Sequence, residues 1–91
     1  MKNKSDFLKD FVLYGGDGMS SNLYILDNNN ISKLINYNTI IAIKDNDKNM
    51  VILNNSYYSR TTSKNQNMIK RLCDYYGINL LELEADKIKE Y

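Results

Sequence analysis

Between Asn22 and Tyr58 the chain is a series of short β-rich runs separated by clusters of asparagine and aspartate, and this alternation constrains it to a sheet of closely connected strands. Asparagine and aspartate tolerate the left-handed backbone that tight turns require, whereas runs of isoleucine, valine, leucine and tyrosine suit a pleated, half-buried surface. The runs are Leu23 to Leu26, Ile31 to Tyr37, Thr39 to Lys44 and Met50 to Leu53, with a candidate short strand at Ser56 to Tyr58. Turns fall at Asn28 to Asn30 and at Asp45 to Asn49. Every connection is of hairpin length, which predicts an antiparallel meander.

Helical spacing brackets this region. Phe7, Leu8, Phe11, Val12 and Tyr14 recur at helical intervals, with Ser5 as cap and Gly15 as stop, and predict a helix over Asp6 to Leu13. Gly15, Gly16 and Gly18 then read as a flexible turn into Ser20 and Ser21. A second helix over Lys64 to Tyr76 is marked by a Ser63–Gln66 capping box and by Gly77 at the C-cap position. Met68, Ile69, Leu72, Cys73 and Tyr76 share one stripe, so Ile69 and Leu72 are expected to be buried against the sheet. Leu80 to Leu83 is either an edge strand or the start of an acidic tail through Glu82, Glu84 and Asp86, and strand is the preferred reading. The expected fold is α+β: residues 1–91 as a single domain with a short N-terminal helix, a meander of about four strands, one amphipathic helix packed on it and a short C-terminal strand. A chain of 91 residues closes a single core.

Residue types narrow the chemistry. There is no histidine, and Cys73 is the only cysteine, so an imidazole base, a disulfide framework and nearly all soft metal sites are ruled out. Cys73 lies on the apolar stripe, where a thiol is ordinarily inert packing. Asp45, Asp47, Glu82 and Glu84 are the carboxylates a metal-dependent nuclease would draw on, but Asp45 and Asp47 flank a hairpin turn and suit turn formation. Asp45 to Asn49 resembles the first half of a calcium loop, yet Met50 and Ser56 stand where glycine and a bidentate glutamate are needed. The glycine run is not followed by a lysine–serine pair and does not follow a strand, so it reads as a connector and not a phosphate loop. The chain is therefore expected to be non-enzymatic, with no cofactor and no metal. Met1 to Asp6 lacks the long apolar run of a signal peptide or membrane span, which points to the cytosol and away from membranes.

The polar face of the second helix carries the binding signal. Arg60, Thr61, Thr62, Ser63 and Lys64 lead into a helix N-terminus, where unpaired N–H groups and the helix dipole favour anions. Lys64, Asn67 and Arg71 continue a basic polar stripe at helical spacing, opposite the core stripe. Tyr57 or Tyr58, Tyr75 and Tyr91 are candidate exposed tyrosines, a residue type enriched at interfaces and base-stacking platforms. The expected binding residues are Tyr58, Arg60, Thr61, Thr62, Lys64, Asn67, Arg71 and Tyr75. Formal net charge is only +1, from 12 basic and 11 acidic residues, so any nucleic-acid site would be a local patch.

Asn22-Leu23-Tyr24-Ile25, Tyr37-Asn38-Thr39 with Ile41-Ala42, Leu53-Asn54 and Tyr58-Ser59-Arg60-Thr61-Thr62-Ser63-Lys64-Asn65-Gln66 leading to Ile69-Lys70-Arg71 together resemble a family of small uncharacterised proteins encoded by phages, plasmids and other mobile elements. The resemblance spans Asn22 to Arg71, and such proteins often carry glycine at the position of Asn38 and histidine at that of Asn65. It implies a phage or mobile-element accessory protein that binds a host macromolecule stoichiometrically in the host cytosol, of which the anti-CRISPR inhibitors of defence nucleases are one type. The partner would be a host protein or ribonucleoprotein effector such as a CRISPR nuclease; nucleic acid, bound by a small regulator, is the alternative.

Overall fold

The structure, a computed structural model, describes residues 3–20 and 22–91; Met1, Lys2 and the Ser21 part of the expected glycine turn lie outside the described residues. The first helix, α1, spans Lys4–Tyr14, two residues earlier than its spacing predicts. Its cap is Asn3 instead of Ser5: the Asn3 side-chain oxygen accepts the Asp6 N–H at 2.9 Å. Phe7, Leu8, Phe11 and Val12 are buried, while Tyr14 at the last position is 68% exposed.

The glycine run after α1 forms a hydrogen-bonded turn. Gly15 N–H closes the helix on the Phe11 carbonyl at 2.8 Å, and Gly16 N–H donates to the Tyr14 carbonyl at 3.0 Å. Gly15 thus centres a γ-turn at φ 76°, ψ −78°, a conformation strained for any side chain. A Cβ there would stand 2.5 Å from Ser32 Oγ, so sterics independently demand glycine. The turn delivers an unpredicted strand, β1 (Gly18–Ser20), which pairs antiparallel with β2 (Leu23–Asn28).

β3 (Ile31–Asn36), β4 (Thr39–Asp45) and β5 (Met50–Asn54) complete the expected meander. The turns show why asparagine punctuates it. Tyr37 and Asn38 take φ 50° and 67° between paired Asn36 and Thr39, the doubly left-handed two-residue link that matches strand twist. Asp45 Oδ1 accepts the N–H groups of Asp47 and Lys48 at 3.1 and 3.2 Å and so shapes the β4–β5 turn.

Three features depart from the expected meander. Ser56 to Tyr58 is not a strand, and side chains take up the backbone groups of Ser56. β6 (Asn79–Leu83) is a strand as expected but runs parallel to β5, giving six strands in the order β1-β2-β3-β4-β5-β6. A parallel neighbour requires a crossover, and the second helix, α2 (Arg60–Tyr76), supplies it. After β6 the acidic residues Glu84 and Asp86 lead into a short helix, α3 (Ala85–Ile88), which the sequence reading lacks.

Both faces of the sheet are covered, where a single helix on one face was expected. On the front, α1 and α2 close a core that includes Phe11, Leu34, Leu53, Ile69 and Cys73, with Leu72 partly buried against it. On the back, Ile88 of α3 packs with Ile43 and Ile52. A bulge interrupts the alternation along β4: pairing passes from Leu34–Ala42 to Ile35–Ile40, so Ile41 is extra. As a result Ile41 and Ala42 both join the front core, while Ile40 and Ile43 both join the back one. Lys44 also lies on the front and is fully buried.

Candidate docking surface on the second helix

The true start of α2 differs from the predicted one, and the difference reassigns its hydroxyls. Ser59, in extended conformation, is the N-cap: its Oγ accepts the Thr62 N–H at 3.2 Å. The Ser63 N–H makes an ordinary helical bond to the Ser59 carbonyl at 2.9 Å, so Ser63 and Gln66 form no capping box. Starting four residues early brings Thr62 into the helix, on the same buried side as Asn65, Gln66 and Ile69. Thr62, expected at the binding surface, is 4% exposed, and its Oγ1 donates to Asn36 Oδ1 at 3.2 Å. The Thr62 N–H is therefore already taken by the cap and is not offered to an anion.

Gln66 does the work of fixing the loop before α2. Its Nε2 donates to the carbonyls of Asn54 at 2.6 Å and Ser56 at 3.0 Å. Asn54 Nδ2 in turn donates to the Ile40 carbonyl at 2.9 Å and to the Tyr58 hydroxyl at 3.0 Å. The Ser56 N–H also donates to Asn54 Oδ1 at 2.9 Å, so both backbone groups of Ser56 are satisfied by side chains and need no ladder partner. Tyr58, 41% exposed, is held by that bond at the sheet edge of the loop.

The remaining predicted residues do come together. Arg60, Lys64, Asn67 and Arg71 are all exposed, and their spacing puts them on one line along α2. Asp74 and Tyr75 extend it, and Tyr75 is 80% exposed with its ring edge-to-face on Tyr76 at 4.8 Å. Thr61 is exposed beside the line. Lys70 lies off it and pairs with Glu82 at 3.2 Å. Among the described residues no ion pair ties Arg60, Lys64 or Arg71. The line is opposite buried Ile69 and Cys73, so three cations, one carboxylate, one amide and one phenol face outwards on a helix of 17 residues.

The other chemistry-bearing residues are dispersed. Asp45 and Asp47 shape the β4–β5 turn, and Glu82 is on β6 with Lys70. Cys73 is buried, and loss of solvation pushes its thiol up to about 11 against a weaker opposing effect of Lys44. A neutral thiol is a poor nucleophile. At pH 8, iodoacetamide should modify Cys73 only as fast as the protein opens, with rapid reaction in denaturant; fast alkylation of the native protein would show an accessible thiolate.

One concave feature escaped the sequence reading. Phe7, Tyr14, Met19 and Ile25, with Asp10, Asp17 and the intervening glycines, line a cleft of about 600 Å³ between α1 and β1. It arises from β1, a strand too short and glycine-rich to be read in advance. Among the described residues no helix is long and apolar enough to cross a membrane.

Residues 9–76 match the model of DUF8033, a family of unknown function. No curated protein and no solved structure matches the chain.

Proposed function

We propose that this chain, which belongs to the DUF8033 family of unknown function, acts by stoichiometric binding of a macromolecule to the outer face of α2, and not by turnover. The observation that carries this reading is the outward line of Arg60, Lys64, Asn67, Arg71 and Tyr75 opposite the core. From Arg60 to Tyr75 it extends about 22 Å at the helical rise, along a convex surface. Small molecules need concave sites; a convex line of this length suits a large partner. Tyrosine and arginine are the residue types that dominate such interfaces.

Charge selects among partners. A groove built to hold nucleic acid is itself cationic, so this line does not suit it. It suits an acidic protein face or exposed phosphates. Together with the resemblance to phage and mobile-element proteins, this supports an accessory protein in the host cytosol that docks on a host defence effector, such as a CRISPR nuclease, as an anti-CRISPR-type inhibitor. The alternative, a small nucleic-acid-binding regulator, uses the same line on phosphates.

The test is capture from host lysate with and without nuclease treatment, using the unaltered protein and the combined Arg60→Ala, Lys64→Ala, Arg71→Ala variant. Exposed charges add little to stability, so the variant should melt as the parent does. Its partner binding should fall by tenfold or more, on the order of 1.4 kcal/mol at least, and the corresponding glutamate variant should bind worse still. Capture that survives nuclease supports a protein partner; capture that nuclease abolishes, with steep salt dependence, supports the regulator. Undiminished binding by both variants would place the docking surface elsewhere.

A further inference from the structure

We propose that the open edge of β6 pairs antiparallel with β6 of a second copy, giving a two-fold dimer with one sheet running through both chains. β6 is an edge strand bonded to β5 alone. The Asn55 N–H donates to the Leu83 carbonyl at 2.9 Å, so Leu83, and with it Leu81 and Asn79, turn their backbone groups towards β5. In a parallel ladder the alternate residues turn theirs away. The N–H and C=O groups of Leu80 and Glu82 therefore line the open edge.

Such an edge is a template for another strand unless charged side chains, proline, a bulge or extreme shortness blunt it. β6 reads Asn-Leu-Leu-Glu-Leu, with no lysine, proline or bulge, and its one charge, Glu82, is paired with Lys70 of α2 at 3.2 Å. Leu80 and Leu81 are 36% and 41% exposed, one towards each face. The opposite edge of the sheet, β1, has only three residues with Gly18 at φ 102°, and is a poor template.

The same groups set the register. A two-fold axis at Leu81 places Leu80 opposite the partner's Glu82 and Glu82 opposite the partner's Leu80. Each such pair exchanges both of its N–H···O bonds, which uses every outward group. Leu81 then meets the partner's Leu81 at the narrow spacing, extending the back-face row of Ile43, Ile52 and Leu81. Sliding one way sets Glu82 against the partner's Glu82, a like-charge clash. Sliding the other way sets Glu82 opposite the partner's Ile78, which precedes the strand. A second copy is favoured over an arbitrary peptide because donors, acceptors, leucines and the separation of the two carboxylates are all self-complementary about one axis.

Sedimentation equilibrium of the intact protein, paired with amide exchange by NMR, tests this. The expected result is a concentration-dependent dimer in which the Leu80 and Glu82 amides become protected as the dimer forms. Leu81→Lys should shift the equilibrium to monomer, with its melting profile in the monomeric range matching that of the parent. The α2 alanine triple should leave the dimer intact, so failure of the α2 reading and failure of this one are distinguishable. A protein that stays monomeric throughout would overturn the proposal, as would a dimer whose Leu80 and Glu82 amides exchange freely. The exchange readout on the unaltered chain decides the matter even if the lysine variant does not fold.

Discussion

Phe11→Ala should lower stability by roughly 3 to 5 kcal/mol, the usual cost of emptying a fully buried aromatic site. Phe11 has no exposed surface and sits where α1 meets the front of the sheet. A chain of this length holds about 5 to 14 kcal/mol in total, so the variant forfeits a large share. At about 4 °C or more per kcal/mol for a domain of this size, its melting temperature should fall by at least about 12 °C. A drop below about 4 °C would show that α1 is not part of the cooperative core. The control is Tyr14, on the same helix but 68% exposed, where alanine should cost well under about 1 kcal/mol.

Lys44 is the second large effect and separates two roles of one side chain. Its stem is buried beneath α1, and its ammonium donates to the Val12 carbonyl at 2.6 Å and to Asn49 Oδ1 at 2.7 Å. Burial lowers its pKa, with opposing pulls from Cys73 and Asp45. The Val12 carbonyl lies in the last turn of α1, where helix-end carbonyls lack partners and favour a cation. Lys44→Ala removes stem and ammonium together and should cost about 3 to 5 kcal/mol, adding a cavity to two abandoned acceptors. Lys44→Met keeps the stem, removes a buried charge and leaves only the acceptors, so about 1 to 2 kcal/mol is expected. Denaturant titration of both variants measures the gap. Equal losses would mean that packing of the stem contributes nothing.

How far the sequence reveals this fold can be followed residue by residue. The four central strands and the asparagine turns at Asn28 to Asn30 and Asp45 to Asn49 are legible because both signals are local: side chains that suit a pleat, and residues that accept a left-handed backbone at Asn29 and Asn49. Gly77 is legible for the same reason, as a left-handed C-cap at φ 69°. The cap of α2 is misread because Ser59 and Ser63 both carry hydroxyls at plausible positions. The choice between them depends on where Asn36 and the Asn54 and Ser56 carbonyls lie, at sequence separations of 26, 12 and 10 residues.

The candidate surface divides along the same line. Lys64, Asn67 and Arg71 are legible as outward because helical periodicity alone sets them opposite Ile69 and Cys73. Thr62 is not, since its burial follows from the shifted start of the helix. By itself, the sequence determined whatever the backbone decides within a few residues: the strands, the turns, the helical faces and the narrow chemical repertoire of a chain with no histidine and one cysteine. Only the tertiary structure decided what depends on distant partners: the close approach of Ser32 to Gly15, the burial of Lys44, the bulge that puts Ile41 and Ala42 in the same core, and the parallel direction of β6. Those outcomes belong to contacts whose energies appear only when the chain has closed on itself, and no local propensity encodes them.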